Sequence, residues 1–365
     1  MNAKDFQMNN IAIIGLGLIG GSIAKALRKS PIKLKIAAFD NKETIELALE
    51  EKVIDQKLNS IEEAAEYDFI ILSLPTDLSL KFFKKLIPLI KKDAIISDVC
   101  GIKGPFEKEW QSVESQGIYI GGHPMTGKEA GGFKNSDPLL FENTVYIISE
   151  KAKESEKILD FLRFVNLLGA RGIYLDPFLH DDVVANVSHL PQLLSVALLN
   201  SVSSNNGNIN YLNFAAGGFR DLTRIASSNF DIWKSIIELN KNDIVSSIDT
   251  FQKNLGRIKN MVIEEDFATL RSNFEKAKLN RESIPENKKG FIHPLFDLFI
   301  FIKDEPGILY KITKTLAEKN INIKDIELQK IRENVGGTFR LSFSSKSELD
   351  ESKILLKKAG FLINN

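Results

Sequence analysis

The chain has 365 residues, of which 43% are hydrophobic and 26% charged, and its 48 basic and 48 acidic side chains leave no formal net charge. This composition is typical of a globular protein of roughly two or three domains, and neutrality excludes the global basic field that attracts nucleic acid or acidic membranes. No run reaches the roughly 20 consecutive apolar residues of a membrane helix, the single cysteine excludes an intrachain disulfide and fits a reducing cytoplasm, and the four histidines show no metal-ligand spacing.

The first half of the chain alternates short apolar strands with amphipathic helices. Strands are predicted at residues 10–14, 34–39, 69–74, 94–97, 118–120, 144–148 and 172–174. Helices are predicted at residues 19–29, 42–51, 78–91, 103–115 and 151–168. Such alternation implies crossover connections and therefore a largely parallel sheet covered on both faces. We predict an α/β Rossmann-type domain over residues 1–175.

A glycine-rich turn follows the first strand, with Gly15, Gly17 and Gly20 in the spacing G-x-G-x-x-G. These glycines permit the tight turn, the approach of a pyrophosphate and close packing of the next helix, whose N-terminus supplies amide donors. Asp40 ends the second strand, where a carboxylate binds adenosine hydroxyls and repels a 2′-phosphate, so NAD is favoured over NADP; nearby Lys42 keeps NADP as the alternative. The predicted cofactor-binding residues are Gly15, Leu16, Gly17, Leu18, Ile19, Gly20, Asp40, Ser73, Pro75 and Thr76.

His123 lies in the glycine-rich segment 122–132, which is predicted to be a loop. A nicotinamide enzyme needs a group that accepts a proton from a substrate hydroxyl while hydride leaves the carbon. Histidine suits that task because its ordinary pKa, about 6.5, lies near working pH. We therefore predict that His123 is a catalytic base; a loop histidine satisfied by backbone groups is the alternative.

Between residues 177 and 279 the pattern indicates helices without strands, which predicts an all-α second domain over residues 176–280. A long apolar helix is predicted at residues 180–202, with a kink at Pro191, because proline removes the bond to the carbonyl of Val187. Such a helix either fills a core or forms a subunit interface. Ser228 and Asp231 have capping-box spacing and predict a helix start, and a further helix is predicted from residue 243 towards 261.

Two pairs of side chains in this domain are candidates for binding. Arg220 and Arg224 are four residues apart and would share a face of a helix, where a substrate with two carboxylates would engage both guanidiniums. A surface salt-bridge network is the alternative. His180 and His189 are nine residues apart, about half a turn out of register on a regular helix. We expect His180, near the helix start, to lie closer to the substrate; a core or capping role is the alternative for either histidine.

Residues 281–292 are polar and contain one proline, which predicts a linker. The remaining residues, 293–365, predict a strand at 295–302, a helix at 306–319, strands at 321–330 and 338–344, a helix at 348–359 and a strand at 361–363. That order is typical of a ferredoxin-like α+β domain. Pro306 and Gly307, at the start of its first helix, leave amide groups available for a carboxylate and predict an effector site; a purely structural dimerisation module is the alternative.

The motifs together resemble the prephenate/arogenate dehydrogenase family of tyrosine biosynthesis, and their order and spacing are more specific than any one of them. The residues that carry this resemblance are Gly15–Gly20, Gly122–Met125, Gly127–Glu129, His180–Asp182, Ser188–Pro191, Gly218–Arg224 and Trp233. Residues 304–309, Asp-Glu-Pro-Gly-Ile-Leu, are similar to the start of an ACT domain. The resemblance covers nearly the whole chain.

This resemblance implies NAD-dependent oxidative decarboxylation of prephenate to 4-hydroxyphenylpyruvate by a cytoplasmic homodimer or larger homo-oligomer, with tyrosine as a feedback effector. His123 matches the family's catalytic histidine. Arg224 matches the arginine that binds a substrate carboxylate, and Arg220 matches a basic position near the pyruvyl end. The substrate site is completed by His180, Gln192 and Gly217.

Two positions depart from the family's pattern. Many relatives carry a serine at Gly101 that binds the catalytic histidine, and a second histidine at Gln192. Cys100 stands next to Gly101, but a thiol is a weak donor. The orientation of His123 and the side chain of the substrate are therefore open, and two alternatives remain: an arogenate dehydrogenase, and a sensor that binds NAD and an amino acid without turnover.

Overall fold

The computed structural model describes residues 9–128, 130–203, 209–283, 295–303, 305–332 and 336–364. The chain divides into two compact units after Lys278. Glu129 and most of the predicted linker, residues 284–292, lie outside the described residues. The predicted domain boundaries remain predictions, although the last helix of the first unit runs into the expected linker.

The first unit begins with a six-stranded parallel sheet in the order β3-β2-β1-β4-β5-β6. Its strands are β1 Asn10–Ile14, β2 Lys35–Phe39, β3 Gln56–Lys57, β4 Phe69–Leu72, β5 Ile95–Asp98 and β6 Ile118–Tyr119. Its helices are α1 Leu18–Lys29, α2 Lys42–Glu50, α3 Thr76–Leu86 and α4 Gly104–Ser112. This order reverses direction between β1 and β4 and confirms the Rossmann-type prediction, and ligands of such sheets bind at the carboxyl ends of these strands.

The apolar runs of the central strands separate two cores, one on each face of the sheet. Ile11 and Ile13 of β1 pack in one core, and Ala12 and Ile14 pack in the other. Because successive side chains of a strand point to opposite faces, a strand covered on both faces must be apolar throughout. Helix α3 ends at Leu86, five residues before its predicted end, because Pro88 has no N–H to donate to the carbonyl of Lys84.

A second sheet of three strands follows, in the order β7-β8-β9. Its elements are β7 Gly122–Pro124, β8 Val145–Ser149, α5 Ile158–Leu167 and β9 Arg171–Leu175. The structure corrects the prediction of a loop at His123, which lies in β7 and pairs with Ile147 of β8. The pairing is antiparallel and joins segments over twenty residues apart, so local sequence carries no signal of it.

After β9, the described residues of the first unit form helices and turns without strands, which confirms the all-α second domain. Its helices are α6 Pro177–Val184, α7 Leu190–Ser203, α8 Gly217–Thr223, α9 Phe230–Leu239, α10 Lys241–Ile263 and α11 Phe267–Ser283. A π-helical turn, Ala185–His189, joins α6 to α7. The irregularity predicted at Pro191 is therefore present as a turn with one extra residue, just before the proline. Helix α11 was not predicted, and it continues through the first three residues of the expected linker.

Two further features of the helical part bear on the predictions. The cap of α9 is Asn229, whose side chain accepts the amide of Asp231, whereas Ser228 donates to Ile225; the predicted capping box is wrong because the helix begins one residue later. Length and composition alone would also let the helix Pro177–Ser203 cross a membrane. That helix, however, carries a buried histidine and aspartate that contact the nucleotide-binding part of the unit.

The second unit contains a four-stranded antiparallel sheet in the order β11-β12-β10-β13 and two helices. Its elements are β10 Phe296–Ile302, α12 Ile308–Ala317, β11 Asp325–Arg332, β12 Gly336–Phe343, α13 Lys346–Lys358 and β13 Leu362–Asn364. Alternate residues of β10, Leu298, Ile300 and Ile302, are buried in one core with Leu316 and Leu356 of the helices. The ferredoxin-like prediction is confirmed.

Candidate active site

The glycine turn lies at the carboxyl ends of β1 and β4. Gly15 has φ +98°, and a Cβ there would stand 2.5 Å from the carbonyl oxygen of Ser73, so only glycine fits. A Cβ at Gly20 would stand 1.9 Å from the carbonyl oxygen of Gly15. Gly17 has no described atom within 4 Å of such a Cβ. The turn is thus closed on the protein side and open towards the crevice, as a dinucleotide site requires.

Other groups at this edge also fit a dinucleotide. One carboxylate oxygen of Asp40 accepts the amide of Leu16 at 2.6 Å, and the other accepts the amide of Asn41 at 2.6 Å, so Asp40 is held against the glycine turn. The hydroxyl of Ser73 is buried and has no hydrogen-bond partner among the described residues. Thr76 begins α3 after Pro75. Contacts of these side chains with the cofactor remain predictions.

Three side chains form a continuous hydrogen-bonded chain at the end of the second sheet. Nδ1 of His123 lies 2.8 Å from Nε2 of His180, and Nδ1 of His180 lies 2.8 Å from Oδ1 of Asp181. His180 is fully buried and Asp181 nearly so. His123 comes from β7 and the other two from α6, so the helical part completes a site that the nucleotide-binding part begins. The structure thus brings the predicted base and His180 into contact.

Asp181 in turn binds the beginning of α4. Its Oδ1 accepts the amide of Lys103 and its Oδ2 accepts the amide of Gly104, both at 2.7 Å. A Cβ at position 104 would stand 2.8 Å from Oδ2, so glycine is needed for this approach. A carboxylate at a helix N-terminus is favoured by the unpaired amides and the helix dipole. The contact therefore fixes Asp181 and, through it, His180.

The surroundings of His123 and His180 favour the neutral form of both imidazoles. Burial is the main cause that lowers the pKa of His123 well below its ordinary value, and the neighbouring His180, Lys103 and His189 lower it further. Burial also lowers the pKa of His180, while its hydrogen bond to Asp181 acts in the opposite direction. A neutral imidazole has one nitrogen lone pair available to accept a proton.

Lys103 and Asp98 form a buried ion pair beside the site, which was not predicted from the sequence. Lys103 and Asp98 form a salt bridge with side-chain exposures of 2% and 0%. The remaining carboxylate oxygen of Asp98 accepts the hydroxyl of Tyr119 at 2.9 Å, and Oδ1 also accepts the amide of Cys100. The available signal was a pair of opposite charges at the end of an apolar strand, five residues apart.

Gly101, the position of the family serine, faces His123. A Cβ at position 101 would stand 3.7 Å from Nε2 and Cε1 of the ring, an ordinary contact distance. Nδ1 is bound to His180, so Nε2 is the nitrogen that faces this open position. Cys100 does not replace the missing hydroxyl chemically: burial raises the pKa of its thiol to about 12, and the charge of Asp98 adds to the rise.

The π-helical turn Ala185–His189 explains why His189 also lies near His123 and His180. On a regular helix, His180 and His189 would point about 180° apart, but one extra residue in the turn reduces the angle to about 80°. His189 packs edge-on against Trp233, with ring centroids 5.9 Å apart. Its Nδ1 lies 3.4 Å from the side-chain nitrogen of Asn240, and burial lowers its pKa to about 4.

The other predicted substrate-binding residues form a second group: Gln192 lies on α7, Gly217 and Arg220 lie on α8, and Arg224 begins the turn that follows. Helix α8 begins at Gly217 and ends at Thr223, and Arg224 begins a separate 3₁₀ turn. The backbone thus changes from α-helical to 3₁₀ geometry at Arg224, and the prediction that Arg220 and Arg224 share one face stays a prediction. Both arginines are exposed, and Nε of Arg220 donates to the carbonyl of Ala215 at 3.1 Å.

Gln192 connects α7 to the turn that begins at Arg224. Its side-chain nitrogen donates to the carbonyl of Ile225 at 2.9 Å, and its oxygen lies 3.4 Å from the hydroxyl of Ser228. The amide thus holds the turn that begins at Arg224 against α7. This role was not predicted from the sequence, and direct binding of substrate by Gln192 remains a prediction.

The predicted effector residues lie beside a cavity in the second unit. Gly307 has φ +83° and precedes α12, which begins two residues later than predicted because Pro306 and Gly307 form a turn. The cavity measures about 280 Å³ and includes Glu305 and Lys311, whose side chains pair at 3.2 Å. Binding of an effector at Pro306 and Gly307 remains a prediction.

Comparison with known proteins covers both units. Residues 23–174 match the prephenate dehydrogenase nucleotide-binding domain, residues 176–276 the prephenate dehydrogenase dimerization domain, and residues 296–357 the ACT domain. Prephenate dehydrogenase of Lactococcus lactis subsp. cremoris is 33% identical over 359 residues, which are 96% of this chain and 98% of that protein.

Two solved structures are similar to most of the chain. Prephenate dehydrogenase from Aquifex aeolicus, in complex with hydroxyphenyl propionate and NAD⁺, has a TM-score of 0.70 and 32% identity, covering 77% of this chain and 100% of that one. Synechocystis arogenate dehydrogenase has a TM-score of 0.65 and 27% identity, covering 76% and 100%.

Proposed function

The chain belongs to the prephenate dehydrogenase family, and from that premise we propose that it converts prephenate to 4-hydroxyphenylpyruvate by NAD-dependent oxidative decarboxylation. Family membership makes it an NAD-dependent oxidoreductase and sets aside the alternative of a sensor without turnover. The observation that carries the proposal is the neutral imidazole of His123, whose Nδ1 is engaged while Nε2 faces the open position at Gly101.

The residues of this chain fit the cofactor. The open side of the glycine turn would receive the pyrophosphate, and Asp40 would bind the adenosine hydroxyls, which favours NAD over NADP. When bound there, NAD⁺ supplies the hydride acceptor. In this arrangement Nε2 of His123 accepts the proton of the substrate hydroxyl, a contribution of about 10²–10⁴ in rate for a positioned general base.

We assign the substrate carboxylates to Arg224 and Arg220. The turn that carries Arg224 is held by Gln192 on α7, and the π-helical turn joins α7 to α6, which carries His180. The position of Arg224 is therefore tied to that of the imidazole pair. A guanidinium binds a carboxylate through two parallel hydrogen bonds, which orients as well as attracts it. The decarboxylated product keeps one carboxylate and therefore loses one of these attachments.

Replacement of Arg224 by alanine is expected to weaken substrate binding by about 1.5–3 kcal/mol, the value of a hydrogen bond to a charged group. Steady-state kinetics should show a raised KM for prephenate with a smaller change in kcat. Arg271→Ala is the matched control, because that arginine is exposed on α11. A KM for Arg224→Ala equal to that of the control would remove Arg224 from the substrate site.

The pH dependence of kcat/KM follows from the state of His123. Its pKa lies well below the ordinary 6.5, and only the neutral ring accepts a proton, so activity is retained as pH falls until the ring is protonated. We expect the acid limb of kcat/KM to have its midpoint below pH 6.5. Initial rates between pH 4.5 and about 8 test this, with circular dichroism to confirm that the protein stays folded. A midpoint above about 6.5 would contradict the assignment.

Arogenate is the second candidate substrate, since the Synechocystis relative bears that name and a neutral glutamine stands at position 192. Arogenate differs from prephenate by an ammonium in place of the keto group. Initial rates of NADH formation with each substrate at equal concentrations separate the two. We expect higher kcat/KM with prephenate, and a preference for arogenate would overturn this choice.

We further propose a cytoplasmic homodimer or larger homo-oligomer that is inhibited by tyrosine. The match to a dimerization domain supports self-association, as do exposed apolar side chains of the helical part such as Phe214, Leu222 and Phe230. The ACT match and the cavity beside Pro306 support an amino-acid effector. Light scattering after gel filtration tests assembly, and inhibition by tyrosine compared with phenylalanine tests the effector.

A further inference from the structure

The hydrogen-bonded chain from Asp181 to His123 permits one arrangement of protons when both rings are neutral. A carboxylate only accepts, so Nδ1 of His180 must carry the hydrogen that is shared with Asp181. The lone pair of a neutral His180 is then on Nε2, which accepts from Nδ1 of His123. The lone pair of His123 is consequently on Nε2.

We propose that His180 and Asp181 are positioning residues that hold His123 in the tautomer with its proton on Nδ1 and its lone pair on Nε2. The identity of the proton donor, the substrate hydroxyl, rests on the proposed function; the tautomer does not. Neither residue needs to touch the substrate for this role, because both act through the ring of His123.

The groups around Asp181, His180 and His123 support this arrangement of protons. Asp181 is fixed by the amides of Lys103 and Gly104, so its carboxylate cannot turn away from His180. The charged and titratable groups that face the imidazoles are Lys103, Asp98, Asp181 and His189. Burial outweighs the attraction of Asp181 and lowers the pKa of His180, so this ring accepts from His123 rather than donating to it.

The same chain answers how His123 is oriented without the family serine. At Gly101 there is no side chain to bind Nε2, so the ring is held from the opposite side, through Nδ1. Among the residues that the structure describes, none forms a hydrogen bond with Nε2, which is therefore available to the reacting hydroxyl. After proton transfer, the imidazolium of His123 keeps its Nδ1 hydrogen bond to His180, and Asp181, bound to the other nitrogen of His180, stabilises the charge through that ring.

Tautomers are measured directly by nitrogen NMR of the full-length protein labelled with ¹⁵N-histidine. The chain contains only four histidines, and the spectra of the His123→Gln and His180→Gln variants assign the two signals of interest. We expect Nδ1 of His123 to be protonated and Nε2 to be unprotonated at neutral pH. The opposite tautomer overturns the inference whether or not the enzyme is active. The expected tautomer without turnover of prephenate would contradict the proposed function alone.

Removal of Asp181's charge tests the consequence for catalysis. An asparagine presents its amide hydrogens to His180 or to the α4 amides, which reverses the proton order or leaves two donors opposed. We expect Asp181→Asn to lower kcat by about 10²–10⁴ with KM within a few-fold, as for a base in the wrong tautomer. Asp182→Asn is the control, because it removes the same charge from an exposed neighbour. Equal kcat in the two variants would overturn the inference.

A second pair of variants keeps the test decisive if Asp181→Asn does not fold. The amide oxygen of His180→Gln can still accept from Nδ1 of His123, whereas His180→Phe offers no acceptor. We expect His180→Phe to lose at least about 10² in kcat and His180→Gln to recover at least tenfold of that loss, with the tautomer of His123 restored. Wild-type kcat and tautomer in His180→Phe would overturn the inference.

Discussion

Replacement of His123 by alanine is expected to lower kcat for prephenate by about 10²–10⁴, with little change in KM. The ring of His123 is the proton acceptor, and its burial against His180 leaves no described side chain at Nε2 to take its place. A loss confined to kcat indicates an interaction made in the transition state. The measurement is steady-state formation of NADH at saturating NAD⁺.

Two controls separate lost chemistry from lost structure. The dissociation constant for NAD⁺, measured by fluorescence, should be unchanged, because the glycine turn is held by bonds that do not involve His123: Gly15 donates to the carbonyl of Phe39 at 2.9 Å and Leu16 to Asp40 at 2.6 Å. Added imidazole should restore part of the rate, since alanine leaves a space of the size of the missing ring. A kcat for His123→Ala within threefold of the unsubstituted enzyme would remove His123 from the chemistry.

Replacement of Lys103 by methionine is expected to lower the free energy of unfolding by about 3–5 kcal/mol. Lys103 and Asp98 are buried together at 2% and 0% exposure, so the variant leaves a carboxylate without its counter-charge and away from water. The hydrogen bonds from Tyr119 and Cys100 remain but do not supply a full positive charge. Urea denaturation followed by circular dichroism measures the change.

Lys128→Met is the matched control, because Lys128 pairs with Asp137 at 3.0 Å on the surface, with exposures of 41% and 40%. Such a pair contributes about 0–1 kcal/mol. The double variant Asp98→Asn, Lys103→Met should recover stability relative to Lys103→Met, because the isolated charge is removed. Equal losses in the free energy of unfolding for Lys103→Met and Lys128→Met would show that the buried pair contributes no more to stability than the surface pair.

Much of the fold follows from local pattern. The apolar runs of β1, β2 and β4 and the glycine spacing after β1 mark a Rossmann-type sheet, because strands covered on both faces must be apolar and the turn must be free of side chains. The strand and helix order after residue 295 is equally regular. The errors in the predicted elements lie at helix ends: α3 ends earlier than predicted, before Pro88, and α9 is capped by Asn229 rather than Ser228.

The candidate site was less accessible to sequence reasoning, because its contacts join distant segments. His123 and Asp181 were recognisable as residue types in motifs, yet the pairing of β7 with β8 and the contact of Asp181 with α4 arise only on folding. The π-helical turn changes which side chains share a face, and no local rule predicted it. Likewise, no local rule predicted that the helix carrying Arg220 changes to a 3₁₀ turn at Arg224.

Residue order alone therefore establishes the class of this protein: a dinucleotide-binding sheet, a helical part and a ferredoxin-like unit, with His123 as the candidate base. Hydrophobic periodicity and glycine spacing can be read from short segments, because they determine local structure through backbone sterics and side-chain burial. Which nitrogen of His123 is available, and what holds the ring, depend on His180, Asp181 and Gly104 meeting across segments more than fifty residues apart. A hydrogen bond forms only when donor and acceptor lie about 3 Å apart, so only the tertiary arrangement decides which nitrogen of His123 is bound.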